Sequence, residues 1–127
     1  MKNLLPDMAH EFDINVIGND TGKKFKGHFV FKRMSIRQKL DAEKHEKRLT
    51  GELALSPETQ FIVYIISYLK EGLIEYPDWW EDIENGLDFY DANVLTEIHK
   101  SIKEYEDNWQ KQLEENSKES NKDNEQY

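Results

Sequence analysis

Several kinds of residue and segment are missing from this chain, and each absence excludes a class of protein. The 127 residues contain no cysteine, which excludes disulfides, thiolate catalysis and zinc–thiolate sites and fits a reducing compartment. The longest uncharged apolar stretch, residues 61–69, is about half as long as a membrane-spanning helix. The first residues carry too short an apolar run, and acids follow it too soon, for a secretory signal. We therefore expect one cytoplasmic domain without a membrane span.

Acidic residues outnumber basic ones, and the two signs occupy different parts of the chain. The formal net charge is −9. Residues 23–50 carry ten Lys or Arg against three Asp or Glu, whereas residues 51–127 carry six against nineteen. A basic segment followed by an acidic one predicts complementary surfaces, either within the fold or between associating copies. Two independently solvated faces are an equally good reading of the same pattern.

Two runs of alternating apolar and polar residues predict an antiparallel β-hairpin over about residues 11–33. The second run places phenylalanines on one face and mostly lysines on the other. Residues 19–22, Asn-Asp-Thr-Gly, separate the runs and tolerate the dihedral angles of a turn. Because an isolated hairpin is marginal in water, the phenylalanine face must pack on helices or on another copy of the chain.

Helical spacing of apolar residues then predicts four helices, over about residues 35–49, 57–75, 79–84 and 91–113. Ser35 and Gln38 have the spacing of a capping box, and Ser56 followed by Pro57 is a second start signal. Pro77 is expected to end the second helix, whose wide apolar stripe makes it the central core helix. Asp91 is expected to cap the last helix.

No apolar residue occurs between residues 114 and 126. This segment therefore cannot bury enough apolar surface to offset the conformational entropy that it would lose on folding. The sequence therefore predicts a single α+β domain over residues 1–113 and a disordered acidic C-terminal tail over residues 114–127. Within the domain, an N-terminal antiparallel β-hairpin is followed by a three-to-four-helix bundle.

Catalytic and metal-binding chemistry finds little support in the sequence. The four histidines fall in separate elements without metal-ligand spacing, and no nucleophile, base and orienting group are recognisable together. We therefore expect no enzyme, no metal and no cofactor. The basic block could suggest nucleic-acid binding, but strand alternation assigns its phenylalanines to the core and the overall negative charge opposes phosphate binding.

Adjacent tryptophans, Trp79 and Trp80, form the most unusual local feature of the chain. Both side chains do not easily point into one small core, so one is expected to pack behind the central helix and the other to be partly exposed. Exposed tryptophan is a favoured interface anchor. The candidate protein-binding residues combine these rings with the bases of the hairpin: Lys23, Lys24, Lys26, Lys32, Arg33, Trp79 and Trp80.

Three segments carry a resemblance to a known family: FKRMSIRQKLDAEK at residues 31–44, SPETQFIVYIISYLKEGLIEYPDWW at residues 56–80, and DANVLTEIHKSIKEYEDNW at residues 91–109. In the order of its elements over about residues 10–112, and in these three short segments, the chain resembles the tail assembly chaperones of long-tailed bacteriophages. The shared features are a basic residue and a serine entering the first helix, here Arg33 and Ser35, a proline–tryptophan break, and a last helix ending in tryptophan.

The resemblance implies a non-enzymatic role in the infected host cell. Such a chaperone coats the hydrophobic tape measure protein, recruits major tail protein subunits, and leaves before the tail matures. Many members are also made in a longer form by a ribosomal frameshift near the C-terminus. Two alternatives stay open from the sequence: a structural virion component such as a neck or tail-completion protein, and a small regulatory protein that binds nucleic acid.

Overall fold

The N-terminal hairpin lies where the alternation of residues predicts it. In the computed structural model, which describes residues 8–84 and 87–125, strand β1 spans Ala9–Ile17 and strand β2 spans Lys24–Lys32. The antiparallel register pairs Phe12 with Phe29 and Asp13 with His28. Helices follow the hairpin, so the predicted α+β class is confirmed.

The remaining elements are helix α1 (Ile36–Thr50), helix α2 (Pro57–Gly72), strand β3 (Leu73–Glu75), helix α3 (Asp78–Glu84) and helix α4 (Ala92–Glu125). Both predicted start signals operate. The Ser35 hydroxyl accepts a hydrogen bond from the Gln38 amide, and the Gln38 side chain accepts one from the Ser35 amide, which completes the capping box. Ser56 accepts a hydrogen bond from the amide of Thr59.

Helix α2 ends earlier than the sequence predicts. The expected end was residue 75, ahead of Pro77, but Leu73 already has extended backbone and begins β3, which pairs with β2 in the order β1-β2-β3. Gly72 makes this possible, because a Cβ atom there would lie 2.1 Å from the ring of Phe31. Pairing with a distant strand, which no local pattern reveals, therefore overrides the helical spacing.

Helix α4 extends further than the sequence predicts. The expected helix stops at residue 113, whereas α4 runs to Glu125, so most of the segment predicted as a disordered tail is helical in the structure. Elongating a helix that packing has already nucleated is far less costly than starting one, and this segment is rich in Glu and Lys, which favour helix. Residues 126 and 127 lie outside the described part of the chain.

The core lies between the phenylalanine face of the hairpin and helices α2, α3 and α4. Phe31 stacks on Tyr68 of α2, and Phe29 meets the edge of the Trp80 ring of α3. Helix α1 packs on α2 and buries few residues, as its sparse apolar stripe predicts. The largest fully buried side chains of the core come from β2, α2, α3 and α4: Trp80, Phe29, Phe31, Ile65, Leu69, Ile83, Leu95, Ile98 and Ile102.

Asp91 joins the hairpin turn to the start of α4. Rather than capping α4 with its side chain, it accepts hydrogen bonds from the amides of Asp20 (2.8 Å) and Thr21 (3.0 Å) and from the Thr21 hydroxyl (2.6 Å). Desolvation alone would raise the pKa of Asp91, but these hydrogen bonds and nearby Lys23 outweigh it and lower the pKa. A Cβ atom at Gly18 would lie 2.2 Å from the Asp91 carboxyl carbon, so this position requires glycine.

His45 is a buried polar contact between α1 and α2. Its Nδ1 atom lies 3.1 Å from the hydroxyl of Ser67. Desolvation, with smaller contributions from Lys70 and Arg48, lowers the pKa of His45. The neutral imidazole is therefore the form that the folded state favours.

None of the helices in the described residues combines the length and the apolar composition that crossing a bilayer requires. Although α4 has 34 residues, its surface is mostly polar.

We expect Ile66→Ala to lower the free energy of unfolding by about 2–5 kcal/mol, because the side chain is only 2% exposed and its removal leaves a cavity. The matched control is Ile36→Ala, since Ile36 is 87% exposed and should change stability by about 0.5 kcal/mol or less. Urea denaturation followed by circular dichroism measures both. Similar losses for the two variants would contradict the assignment of α2 as the central core helix.

His45 should make the fold less stable in mild acid. Because its folded pKa is lowered, the unfolded chain binds the proton more readily, and stability falls as the pH drops below 6.5, the ordinary histidine value. His45→Gln should flatten this part of the stability curve. His28→Gln is the control of opposite sign, because hydrogen bonding to Asp13 raises the pKa of His28 and its contribution grows toward acid pH. Denaturation midpoints between about pH 5 and 8 distinguish the two variants.

Candidate docking surface

An open groove follows the side of α2 that faces away from the sheet. Its first part has a volume of about 650 Å³ and lies between α2 and α4. Phe61 and Tyr64 of α2 line it and remain 45% and 40% exposed, although both are large apolar rings. His99 of α4 meets each of these rings edge-on, with centroids 5.6 and 6.0 Å away. We call this feature and its continuation the aromatic groove.

The continuation lies between α2 and α1 and has a volume of about 310 Å³. It shares Tyr64 and Glu106 with the first part, so the two hollows adjoin along α2. Met34 and Ala42 contribute apolar surface on the α1 side, and Tyr68 lies at the back. The groove therefore exposes Phe61 and Tyr64 about one helical turn apart on α2.

The rings that line the aromatic groove are held uncharged. The hydroxyl of Tyr68 donates a hydrogen bond to the Glu106 carboxylate, and burial together with this contact raises the Tyr68 pKa. Burial, helped by Glu106 and Glu46, also raises the pKa of Tyr64. Burial lowers the pKa of His99, against the opposing effect of Glu106. At neutral pH, these three rings are therefore uncharged.

Charged side chains of both signs border the aromatic groove. Acids exceed bases along its two walls: Glu43, Glu46, Glu97, Glu104 and Glu106 against Lys39, Lys100 and Lys103. An apolar channel flanked by helices and bordered by charge is the arrangement in which an amphipathic helix docks its apolar face. The geometry therefore suits protein binding.

The helical spacing of apolar residues in α2 predicts Phe61 as part of the core stripe and Tyr64 as a residue that widens it. The structure corrects this, because the sheet covers one side of α2 and leaves these rings at the surface. The sequence does contain a signal that some of these rings stay exposed. Every residue from 61 to 66 is apolar or aromatic, so the apolar surface encircles the helix and exceeds what one packed face buries.

The two tryptophans separate as expected, one buried and one partly exposed. Trp80 is fully buried beneath the sheet and is not available as an interface contact, which corrects its place among the candidate residues. Trp79 is half-buried, packs edge-on against Phe25 and Phe29, and donates its indole N–H to the carbonyl of Lys26 at 3.2 Å. A hollow of about 360 Å³ brings Trp79 and Lys23 together.

The other candidate bases do not gather around the tryptophans. Lys24, Lys26 and Lys32 are exposed along the outer face of β2, where the register pairs them with Ile17, Asn15 and Ala9 of β1. The Arg33 guanidinium lies 4.2 Å from the ring centre of Trp109 in α4. Two features of the family resemblance, the base before the first helix and the tryptophan of the last helix, are thus in contact with each other.

The described residues contain no clustered metal ligands, and the basic block offers no base-stacking platform. No group of three histidine or carboxylate side chains among them is placed to hold a metal ion. The phenylalanines of the basic block, Phe25, Phe29 and Phe31, are buried, as strand alternation predicts, and present no face to a nucleic-acid base.

We expect Arg33→Ala to lower the free energy of unfolding by about 0.5–2 kcal/mol, because it removes a cation–π contact with a mostly buried ring. Lys32→Ala is the matched control, since this neighbouring base is exposed and should change stability by about 0.5 kcal/mol or less. Urea denaturation of the two variants measures the difference. Equal and small changes in the free energy of unfolding for the two variants would show that the contact of Arg33 with Trp109 does not stabilise the fold.

No protein-family model, curated protein or solved structure matches this chain. The resemblance to tail assembly chaperones therefore rests on the three segments of the chain itself, and the docking surface rests on its own geometry.

Proposed function

We propose that this protein is a non-enzymatic tail assembly chaperone of a long-tailed bacteriophage. It binds helical segments of the tape measure protein, keeps them soluble, and recruits major tail protein subunits in the cytoplasm of the infected cell. It self-associates along its client and is absent from the mature virion. The single observation that carries the proposal is the aromatic groove, in which the uncharged rings of Phe61 and Tyr64 are exposed between helices and bordered by charged side chains.

The aromatic groove fits a client whose apolar side chains recur at helical spacing. Phe61 and Tyr64 supply large ring surfaces with little side-chain entropy to lose, as interface anchors commonly do. An apolar helix separated from its own partners needs such a surface, because exposed apolar patches drive aggregation. The net charge of −9 keeps a protein that exposes these rings soluble.

The bases of the hairpin support a second contact in the same function. Lys24, Lys26 and Lys32 project from the outer face of β2, while the aromatic groove lies along the far side of α2. A client helix and an acidic partner such as a tail subunit would then occupy different surfaces. Charge of this kind steers association and is sensitive to salt.

Co-expression with tape measure fragments tests the proposal. The wild-type protein should keep at least one helical fragment soluble and be retained with it on affinity resin. Phe61→Ala/Tyr64→Ala should weaken this binding about tenfold or more, because truncating interface anchors commonly costs more than 1 kcal/mol each. The control variant is Ile17→Ala/Ile74→Ala, which removes two exposed apolar side chains that do not line the groove.

Each outcome has a distinct meaning. Failure of the wild type to bind any fragment overturns the proposed function. If the groove variant folds normally and binds as well as the control variant, the function stands and the groove is not its site. In that case, loss of binding in Lys24→Ala/Lys26→Ala would show that the client binds to the hairpin.

A further inference from the structure

The outer edge of β1 carries main-chain groups that do not pair with any other strand of the described residues. The Arg33 amide donates to the Met8 carbonyl at 2.9 Å, which fixes the alternation of the antiparallel ladder. The main-chain amide and carbonyl groups of the even-numbered residues of β1 are therefore hydrogen-bonded to β2. The amide and carbonyl groups of Glu11, Asp13 and Asn15 point the other way, and no side chain among the described residues is hydrogen-bonded to them. Such an edge is a template for a further strand.

Helix α4 runs beside this edge and leaves a groove between them. Two hollows of about 420 and 280 Å³ follow one another along β1 and share Ser101 and Glu104 of α4. At the turn end, the edge is closed, because the Asn93 side chain donates to the Ile17 carbonyl at 3.0 Å. We call this feature the edge groove. A strand edge bordered by a helix can hold an extended peptide between the two.

The charges of the residues that line the edge groove determine which kind of segment it can bind. Glu11 and Asp13 stand on the strand side, and Glu97 and Glu104 stand on the helix side, against one base, Lys100. A second copy adding its own β1 would place acids opposite acids, which is unfavourable between paired strands. An extended segment with lysine or arginine at alternate positions would place opposite charges in register instead.

We propose that the edge groove binds a basic, extended segment of a partner protein as a strand added to β1. Main-chain hydrogen bonds to Glu11, Asp13 and Asn15 hold the added strand. Its alternate basic side chains lie beside the acids of β1, and its other side chains face the polar wall of α4. Glu97, Lys100 and Glu104 of α4 border the edge groove as well as the aromatic groove, whereas Glu11, Asp13 and Asn15 line the edge groove and not the aromatic groove. The proposal rests on these β1 residues and does not depend on the client-binding role.

A synthetic peptide of alternating lysine and threonine, about eight residues long, spans β1 and tests the proposal. Threonine favours strands and suits the polar α4 wall. In the free protein, the amides of Glu11, Asp13 and Asn15 should exchange rapidly with solvent deuterium. Peptide binding should protect these three amides, as followed by NMR. The same peptide with every backbone nitrogen methylated keeps its charge and should give no protection.

Glu11→Gln, which changes an acid of the edge groove that does not line the aromatic groove, should weaken peptide binding by about two- to fivefold, because exposed charge pairs contribute modestly. Asp13 is left intact in this variant because its carboxylate lies 2.8 Å from His28 Nδ1. Glu52→Gln, in the turn after α1, is the matched control and should bind normally. A peptide of alternating glutamate and threonine should not bind.

Three results would overturn the proposal. The first is no binding of the lysine peptide. The second is binding that leaves the three β1 amides unprotected or that the methylated peptide reproduces, since this is surface charge attraction alone. The third is protection of those amides in the free protein that increases with its concentration, which would make a second copy the occupant.

Discussion

Burial of the hairpin's phenylalanine face is the interaction on which the rest of the structure depends. A two-stranded hairpin is marginal in water, and this one is held by rings of β2 that are fully buried beneath the helices. Phe31 lies so close to α2 that only glycine fits at position 72. The same contact ends α2, starts β3 and brings Trp80 beneath the sheet. One packed face thus determines where three further elements lie.

The aromatic groove is a consequence of this packing. The sheet covers one side of α2, and α1 and α4 pack against α2 on either side of the groove. Because α2 is apolar around most of its circumference, rings that the core does not need stay at the surface. The hydrogen bond between Tyr68 and Glu106 joins α2 to α4 at the back of the groove.

Local signals in the sequence predict the start of each helix better than its end or its exposed surface. Ser35 and Ser56 act within a few residues of themselves, so their caps are readable from the chain alone. The end of α2 depends on pairing with β2, and the role of Asp91 depends on a turn about seventy residues away. Which of Trp79 and Trp80 is buried depends on the side of α3 on which the sheet packs. Such facts belong to tertiary contacts and have no local signature.

The contact of Asp91 with the hairpin turn has a consequence for the order of folding. Its acceptor atoms and the amides that they bind are far apart in the chain, so closing this loop has a large entropic cost and is expected late. Until α4 docks, the turn amides must bond to water, and the hairpin is only partly supported. Strand pairing and the last helix are therefore expected to become stable together, so that a nascent chain lacking α4 would display β1 and β2 as an unfinished sheet.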